Sequence, residues 1–371
     1  MNLWHDKKKA AVTRLSIHSQ PVTRYTSVTI SCQVPQISII MPCYNARSTV
    51  ARAVMSIVNQ TISDWELIVV DDGSTDGSAE LIKKIAQTDS RIRLIQRDHR
   101  GVVAASNHGF SMAQPTPLIA RMDADDVSHP SRLARQSHAL ANHPELGGVS
   151  CLVRFAGDHE TAAGYAHHVQ WTNRHVSAEA VALNRFIDLP VPHPTLMYRR
   201  EVVEHWGGYR DGDFPEDYEM FLRWLAGRVR IGKVNETLYD WYDPPTRLSR
   251  NDPRYDMMAF HQCKAPYLAQ AIHDSGCSHR ALWIAGAGRP ARKCANPLEQ
   301  SWKPASGFID VDPRKIGRML HGRPVVAMTA LPPINQSVIV SYVGSRGAGD
   351  RIRDALKASG RIEGIDFWIA A

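Results

Sequence analysis

What most constrains this chain is an alternation. Between residues 36 and 142, each short apolar run is followed by a stretch with helical periodicity. "ISIIM" (37–41), "ELIVVDD" (66–72), "RIRLIQR" (91–97) and "PLIARMD" (117–123) read as buried strands. "RSTVARAVMSIVNQ" places Val50, Ala53, Val54, Ile57 and Val58 on one helical face, with Ser48 as the expected N-cap. "GSAELIKKIAQ" turns Leu81, Ile82 and Ile85 inward, and residues 102–113 and the stretch after Pro130 read as further helices. Parallel strands need crossover connections, usually helices, so an α/β fold with a mostly parallel, helix-flanked sheet is expected. In such sheets ligands bind beyond the carboxyl ends of the strands. Asp71, Asp72 and the acids of "RMDADDVSHP" (121–130) fall at those ends and are expected to face one crevice.

A chain of 371 residues is long for one core. Residues 1–35 read as a basic, flexible arm carrying Lys7, Lys8 and Lys9, with no apolar signal segment behind them. Residues 36–250 form the main domain, whose later part is less regular but offers the strand "GGVSCLVRF" and the helix "EDYEMFLRWLAG". Residues 251–279 read as a helical connector, and 280–371 as a smaller α/β domain built on "ALWIAGAG", "GFIDVD", "RPVVAM", "SVIVSYV" and "GDRIRDALKASG". No apolar run approaches the length of a membrane span. The six cysteines show neither C-x-x-C nor zinc-finger spacing, which suits a reduced, cytoplasmic compartment. A net charge of +7 permits contact with phosphates or an anionic surface. Peripheral contact of the arm with the inner face of the membrane is therefore an expectation; binding of nucleic acid is not.

Three acidic places carry the chemistry. Asp123, Asp125 and Asp126 crowd the end of a strand. Like charges that close raise one another's pKa, so they either face water in a turn that Pro130 ends or gather around a cation. An Asp-x-Asp of hard oxygens suits Mg²⁺ or Mn²⁺ together with substrate phosphates. "VVDDGSTDGS" (69–78) ends a strand in a Gly/Ser loop, where a carboxylate can accept from a nucleotide base and glycine lets a ligand approach; an ordinary Asp-Gly turn fits equally. Glu216 and Asp217 open the helix of "FPEDYEMFLRW" (214–224), either as an acidic helix start favoured by the dipole or as a general base.

The assembled order is "ISIIMPCYNARSTVARAVMSIVNQ", "VVDDGSTDGS", "GVVAASNHGF", "MDADDVSHPSRL", "HPTLMYRREVVEHWGGYRD" and "PEDYEMFLRW". Over residues 36–250 it resembles the family 2 glycosyltransferases of the GT-A fold. The resemblance implies an inverting hexosyl- or hexosaminyl-transferase of bacterial surface-polysaccharide synthesis; the absence of a Q-x-x-R-W and of a membrane span favours a non-processive one. Its donor would be a nucleotide-diphosphate sugar, with a UDP-sugar expected, and its acceptor a glycan or lipid-linked hydroxyl. By the same resemblance Pro42, Tyr44 and Asn45 lie near the nucleotide base, and Asp72, with Asp71 beside it, reads that base. Asp123 faces the ribose and, with Asp125, the metal; His193 lies near the acceptor and diphosphate. Asp217 is the catalytic base, with Glu216 helping to hold the acceptor, and Arg247 closes over the nucleotide. Asp126 carries no assigned role.

Two departures stand out. Ser106 occupies the place of a usual Arg, which removes one cation near the phosphates. Met220 stands where processive membrane synthases have the Gln of Q-x-x-R-W.

Two other readings remain open. One is a catalytically degenerate module that binds or assembles around a nucleotide sugar. The other is an NAD(P)-binding protein acting through "GAGRPA" (286–291), a G-x-G-x-x-A after a strand, with Asp310 and Asp312 ending the next one. Pro297 predicts a short helix after that loop. The C-terminal domain is expected to be Rossmann-like and to serve structure or protein docking.

Overall fold

The computed structural model describes residues 35–157, 162–243 and 247–371. Residues 1–34 of the expected arm lie outside the described residues. Strands β1 (Ile37–Cys43), β2 (Trp65–Asp71), β3 (Ile92–Gln96), β4 (Leu118–Arg121), β5 (Val127–Ser128), β6 (Gly148–Phe155), β7 (Met197–Arg199) and β8 (Ile231–Trp241) form one sheet in the order 3-2-1-4-7-6-8-5. The first four pair in parallel, in the register Ile37↔Trp65 and Ile37↔Leu118. β7 runs antiparallel to both β4 and β6, and β6 is parallel to β8. The two reversals cancel, so β6 and β8 end on the same edge as β1, β2 and β4.

Helices α1 (Val50–Val58), α2 (Ser78–Ala86), α3 (Val102–Met112) and α4 (Arg132–Asn142) make the crossovers; α5 (Ala163–Arg174), α6 (Ala178–Asn184), α7 (Arg200–Trp206) and α8 (Glu216–Ala226) follow. β1 explains why both faces need cover. Ile37, Ile39 and Met41 pack with Val50, Ala53 and Val54 of α1, while Ile40 packs on the other face with Ala105 of α3. α3 lies so close to the sheet that a Cβ on Gly109 would stand 2.6 Å from Ile40 Cγ2. Ser48 is not the cap of α1. Thr49 holds that position, and its side chain caps no helix amide; the Thr49 and Val50 amides donate to Ala46 C=O at 2.9 and 2.8 Å, and Thr49 Oγ1 donates to the same carbonyl at 3.2 Å.

After α9 (Leu248–Asn251) comes the 18-residue helix α10 (Met257–Asp274), which packs against both α8 and α11 (Arg289–Ser301). β9 (Ala281–Ala285), β10 (Gly307–Asp310), β11 (Met319–Leu320), β12 (Arg323–Ala327), β13 (Ser337–Ser341) and β14 (Phe367–Ile369) form a second sheet in the order 11-12-10-9-13-14, parallel except for β11, with α12 (Ala348–Ala358) between β13 and β14. Pro297 does not shorten α11, which runs 13 residues through it. Ala291, Cys294, Ala295 and Leu298 are buried at helical spacing, and that apolar face offsets the one amide the proline removes. Buried Lys264 of α10 ties the segment after α6 to the residue that follows β14. Its Nζ donates to Phe186 and Ile187 C=O, at 2.8 and 3.1 Å, and to Ala370 C=O at 3.1 Å. The described cysteines, Cys43, Cys151, Cys263, Cys277 and Cys294, are buried and free of disulfides. No helix among the described residues is long and apolar enough to cross a membrane.

Candidate functional site

The shared strand edge opens into a cavity of about 930 Å³. Pro42, Tyr44, Asn45, Asp72, Asp123, Asp125, His193, Glu216, Asp217 and Arg247 all line it. Asp71 does not. As the last residue of β2 it points to the opposite face from Asp72, buried, with Oδ2 3.3 Å from the Ser74 amide and Oδ1 without a partner among the described residues.

At one end the loop after β1 meets the loop after β2. Asn45 adopts a left-handed conformation (φ 47°), which asparagine tolerates; its Oδ1 accepts from Thr75 N–H and its own N–H donates to Ser74 Oγ, both at 2.9 Å. Exposed Tyr44 stacks on His99 with ring centroids 4.0 Å apart. Asp72 is buried and already engaged. It accepts from the amides of Gly101 at 2.7 Å and Arg100 at 3.2 Å, with His99 Nδ1 at 2.9 Å and Arg97 Nε at 3.3 Å. It thus fixes the start of α3 and the ring on which Tyr44 lies.

At the middle, one carboxylate oxygen from each of Asp123, Asp125 and Asp126 lies within 4.8 Å of the others. Burial and the charge of Asp123 push the Asp125 carboxyl up to about 6. Burial and Asp125 raise that of Asp126 well above its ordinary value, although Tyr239 O–H and Tyr242 N–H donate to it at 3.0 and 2.8 Å. Asp123 instead has a partner, Arg121 Nη2 at 3.0 Å. Arg52 Nη2 donates to Asp125 C=O at 2.9 Å, and its guanidinium lies 3.8 Å over the Tyr242 ring. Three hard-oxygen donors that repel one another, ringed by arginines, fit a small divalent cation.

Arg121 continues inward. Its Nε donates to Tyr209 Oη at 3.1 Å, and Tyr209 Oη lies 2.6 Å from His193 Nε2. Burial, then Arg121, hold His193 well below its ordinary pKa, so this imidazole is neutral. α3 supports the chain of contacts through Asn107, which exchanges hydrogen bonds of 2.9 and 3.0 Å with the Tyr209 backbone. Ser106 itself is buried without a hydrogen-bond partner among the described residues and does not line the cavity.

α8 brings the last pair. Pro215 precedes its first turn, and Asp217 Oδ1 accepts from Tyr218 N–H at 2.7 Å. Burial and the neighbouring Glu216 push the Asp217 carboxyl up to about 7. Glu216 has a different environment: both its oxygens lie within hydrogen-bond distance of Tyr255 Oη, at 2.8 and 2.6 Å. Arg247 donates to Tyr242 C=O at 3.1 Å and lowers the pKa of Asp125, Asp126 and Asp217 alike, so it sits among all three. His99, Arg121, Tyr209 and Tyr255 escaped the sequence reading. Only Arg121 had a local signal there, a lone cation opening "RMDADD".

In the second sheet, the "GAGRPA" loop runs from β9 into α11. Asp310 turns both oxygens onto its own surroundings: the amides of Ala287 and Asp312, each at 2.9 Å, and Lys315 Nζ at 3.1 Å.

Comparison with known proteins places these observations in a family. The model of glycosyl transferase family 2 matches residues 38–207. The chain is 32% identical over 212 residues to EpsE of Bacillus subtilis (strain 168), covering 55% of this chain and 72% of that protein. It is 28% identical over 243 residues to the O-antigen biosynthesis glycosyltransferase WbnJ of Escherichia coli, covering 64% and 89%. The crystal structure of S. aureus TarS residues 1–349 in complex with UDP-GlcNAc shares the fold, with a TM-score of 0.52, 16% sequence identity and coverage of 72% of this chain and 80% of that one.

Proposed function

The chain belongs to glycosyltransferase family 2, and from that premise we propose that its cavity binds a nucleotide-diphosphate sugar and passes the sugar, with inversion, to a hydroxyl of a glycan or lipid-linked acceptor. One observation carries the reading: a single cavity is lined by Asp123 and Asp125 of the acidic cluster and, apart from them, by Asp217.

The base of the nucleotide would meet Tyr44 and His99, both held in place through Asp72 and Asn45. A UDP-sugar is the donor we favour, since the TarS structure of the same fold was solved with UDP-GlcNAc. Asp123 and Asp125 would hold Mg²⁺ or Mn²⁺, which when bound neutralises charge developing on the leaving diphosphate. Arg121 pairs with Asp123 at 3.0 Å, and Arg247 adds positive charge beside Asp125. His193 stays neutral and, fixed by Tyr209, can orient a hydroxyl or phosphate oxygen without adding charge.

In the transfer, the acceptor oxygen forms its bond to the anomeric carbon as the bond to the diphosphate oxygen breaks. The electron pair of that bond leaves with the nucleoside diphosphate. The acceptor's proton passes to Asp217, whose raised pKa suits a base working near neutral pH. Glu216, tied to Tyr255, would orient the acceptor rather than take its proton. Met220, in place of the processive synthases' Gln, favours one transfer per encounter. The name of the WbnJ relative favours a role in surface-polysaccharide synthesis.

A thermal-shift panel of nucleoside diphosphates and nucleotide sugars, run with Mn²⁺ and with EDTA, tests the reading. A shift that requires metal and is lost in Asp125→Ala is the expected result. A shift with NAD(P) and none with any nucleoside diphosphate would overturn it.

A further inference from the structure

The net charge of +7 is not spread along the chain. Residues 280–371 hold fourteen Lys and Arg against seven Asp and Glu, a surplus equal to that of the whole chain, so residues 1–279 are balanced. Most acids of the C-terminal stretch are spent on partners. Asp366 pairs with Arg280 at 2.7 Å, Glu363 with Arg353 at 2.8 Å and Lys357 at 3.3 Å, and Glu299 with Arg323. Asp350 pairs with Arg353 at 2.8 Å.

The surplus gathers at one edge of the second sheet. β9, β10, β13 and β14 are parallel, so the loops that follow β9, β10 and β13 leave the sheet on the same side, where β14 also ends. Arg289 opens α11 and Lys293 lies one turn further; Arg346 stands in the loop before α12, and Arg351 near the start of that helix. All four are exposed. Arg314 and Lys315 follow β10, bound to Asp312 and Asp310 at 3.0 and 3.1 Å. α11 and α12 begin at this edge, and their caps, Gly288 and Gly347, offer no side-chain acceptor, so both helix dipoles add to the positive field. Val311, the residue after β10, is 75% exposed.

We propose that this edge is a docking surface for an anionic phospholipid bilayer: Arg289, Lys293, Arg346 and Arg351 meet the lipid phosphates and Val311 enters the interface. Each Lys or Arg beside such a surface strengthens attachment about fivefold, so a few together hold a protein that has no span. Residues 286–290, 311–316 and 343–349 contain no Trp, Tyr or Phe on which bases could stack, which disfavours nucleic acid. Two such edges repel each other, so a second copy of the chain does not cover it. Ala370, next after β14, shares Lys264 with Phe186 and Ile187, and these lead into Asp188 and Leu189 of the cavity lining. One side chain thus joins the lipid-facing edge to a wall of the cavity. Attachment of this kind does not depend on whether the cavity transfers sugar.

Co-sedimentation of the full chain with vesicles of phosphatidylethanolamine and phosphatidylglycerol, against vesicles of phosphatidylcholine alone, tests the assignment. Binding to the anionic vesicles at low salt, and release at high salt, is expected. Partitioning should fall about 25-fold in the double variant Arg289→Gln, Arg346→Gln, and about fivefold in Arg346→Gln alone, which leaves α11 untouched. Val311→Ser should give a smaller loss. An unchanged thermal unfolding midpoint shows that each variant folds. Replacing Lys7, Lys8 and Lys9 together by Gln should leave most of the binding in place. No binding to anionic vesicles at low salt overturns the proposal, as does equal binding to phosphatidylcholine. Undiminished binding by the folded Arg346→Gln variant, or tighter binding to a single-stranded oligonucleotide than to the vesicles, overturns it too.

Discussion

Asp125 and Asp310 are both strand-end carboxylates in parallel sheets, and they have opposite fates. Asp310 spends its oxygens on Ala287 N–H, Asp312 N–H and Lys315; burial raises its carboxyl, but these donors bring it below the ordinary value. Asp125 faces two other acids and a cavity, and burial with Asp123 pushes it up to about 6. The difference lies in who donates. An acid whose partners are all supplied by its own and the neighbouring loop is part of the scaffold, and one left short of partners is waiting for something the chain does not provide.

The largest expected way to sharpen this contrast is Asp217→Asn. It removes the proposed base and keeps the shape, so turnover should fall about 10²–10⁴-fold while the UDP–Mn²⁺ thermal shift persists. Normal transfer by this variant would mean the base lies elsewhere. Asp125→Ala, or EDTA on the unaltered protein, should abolish metal-dependent stabilisation by UDP, worth about 2.7 kcal/mol at a hundredfold excess over Kd. Asp310→Asn should leave that stabilisation untouched and cost only about 1 kcal/mol of stability, measured by urea unfolding. Should Asp310→Asn also lose the UDP shift, the contrast between the two edges is wrong. A gentler probe is pH. A base must be deprotonated to act, so kcat should rise with pH and level off above about 7, the value to which burial and Glu216 push Asp217. Glu216→Gln removes the repelling charge and should move that limb to lower pH.

The strands β1–β4 and their helices were legible because apolar residues recur there at periods the two structures require. β8 was not. Lys233, Asn235, Glu236 and Thr237 interrupt its apolar pattern, and its pairing with β6 shifts register around Leu152, so no period survives. Pro297 misled for a related reason: it argues locally against a helix that a buried face holds together from outside. The acids of the site could be read because strand ends face a ligand in this class of sheet. Their partners could not. Tyr209 reaches Arg121 across 88 positions of sequence and Tyr255 reaches Glu216 across 39, distances over which no local pattern carries information. Asp71 and Asp72 read as equivalents, yet one step along a strand exchanges one face for the other.

Lys264 has a consequence for how this molecule comes apart. One ammonium holds the backbone at Phe186 and Ile187, immediately before Asp188, and the backbone at Ala370, immediately after β14. Opening either segment strands a buried charge, so the two should open together as one cooperative unit. Amide hydrogens around residues 186–189 and in β14 should then exchange at matching rates, and Lys264→Met should let those rates diverge.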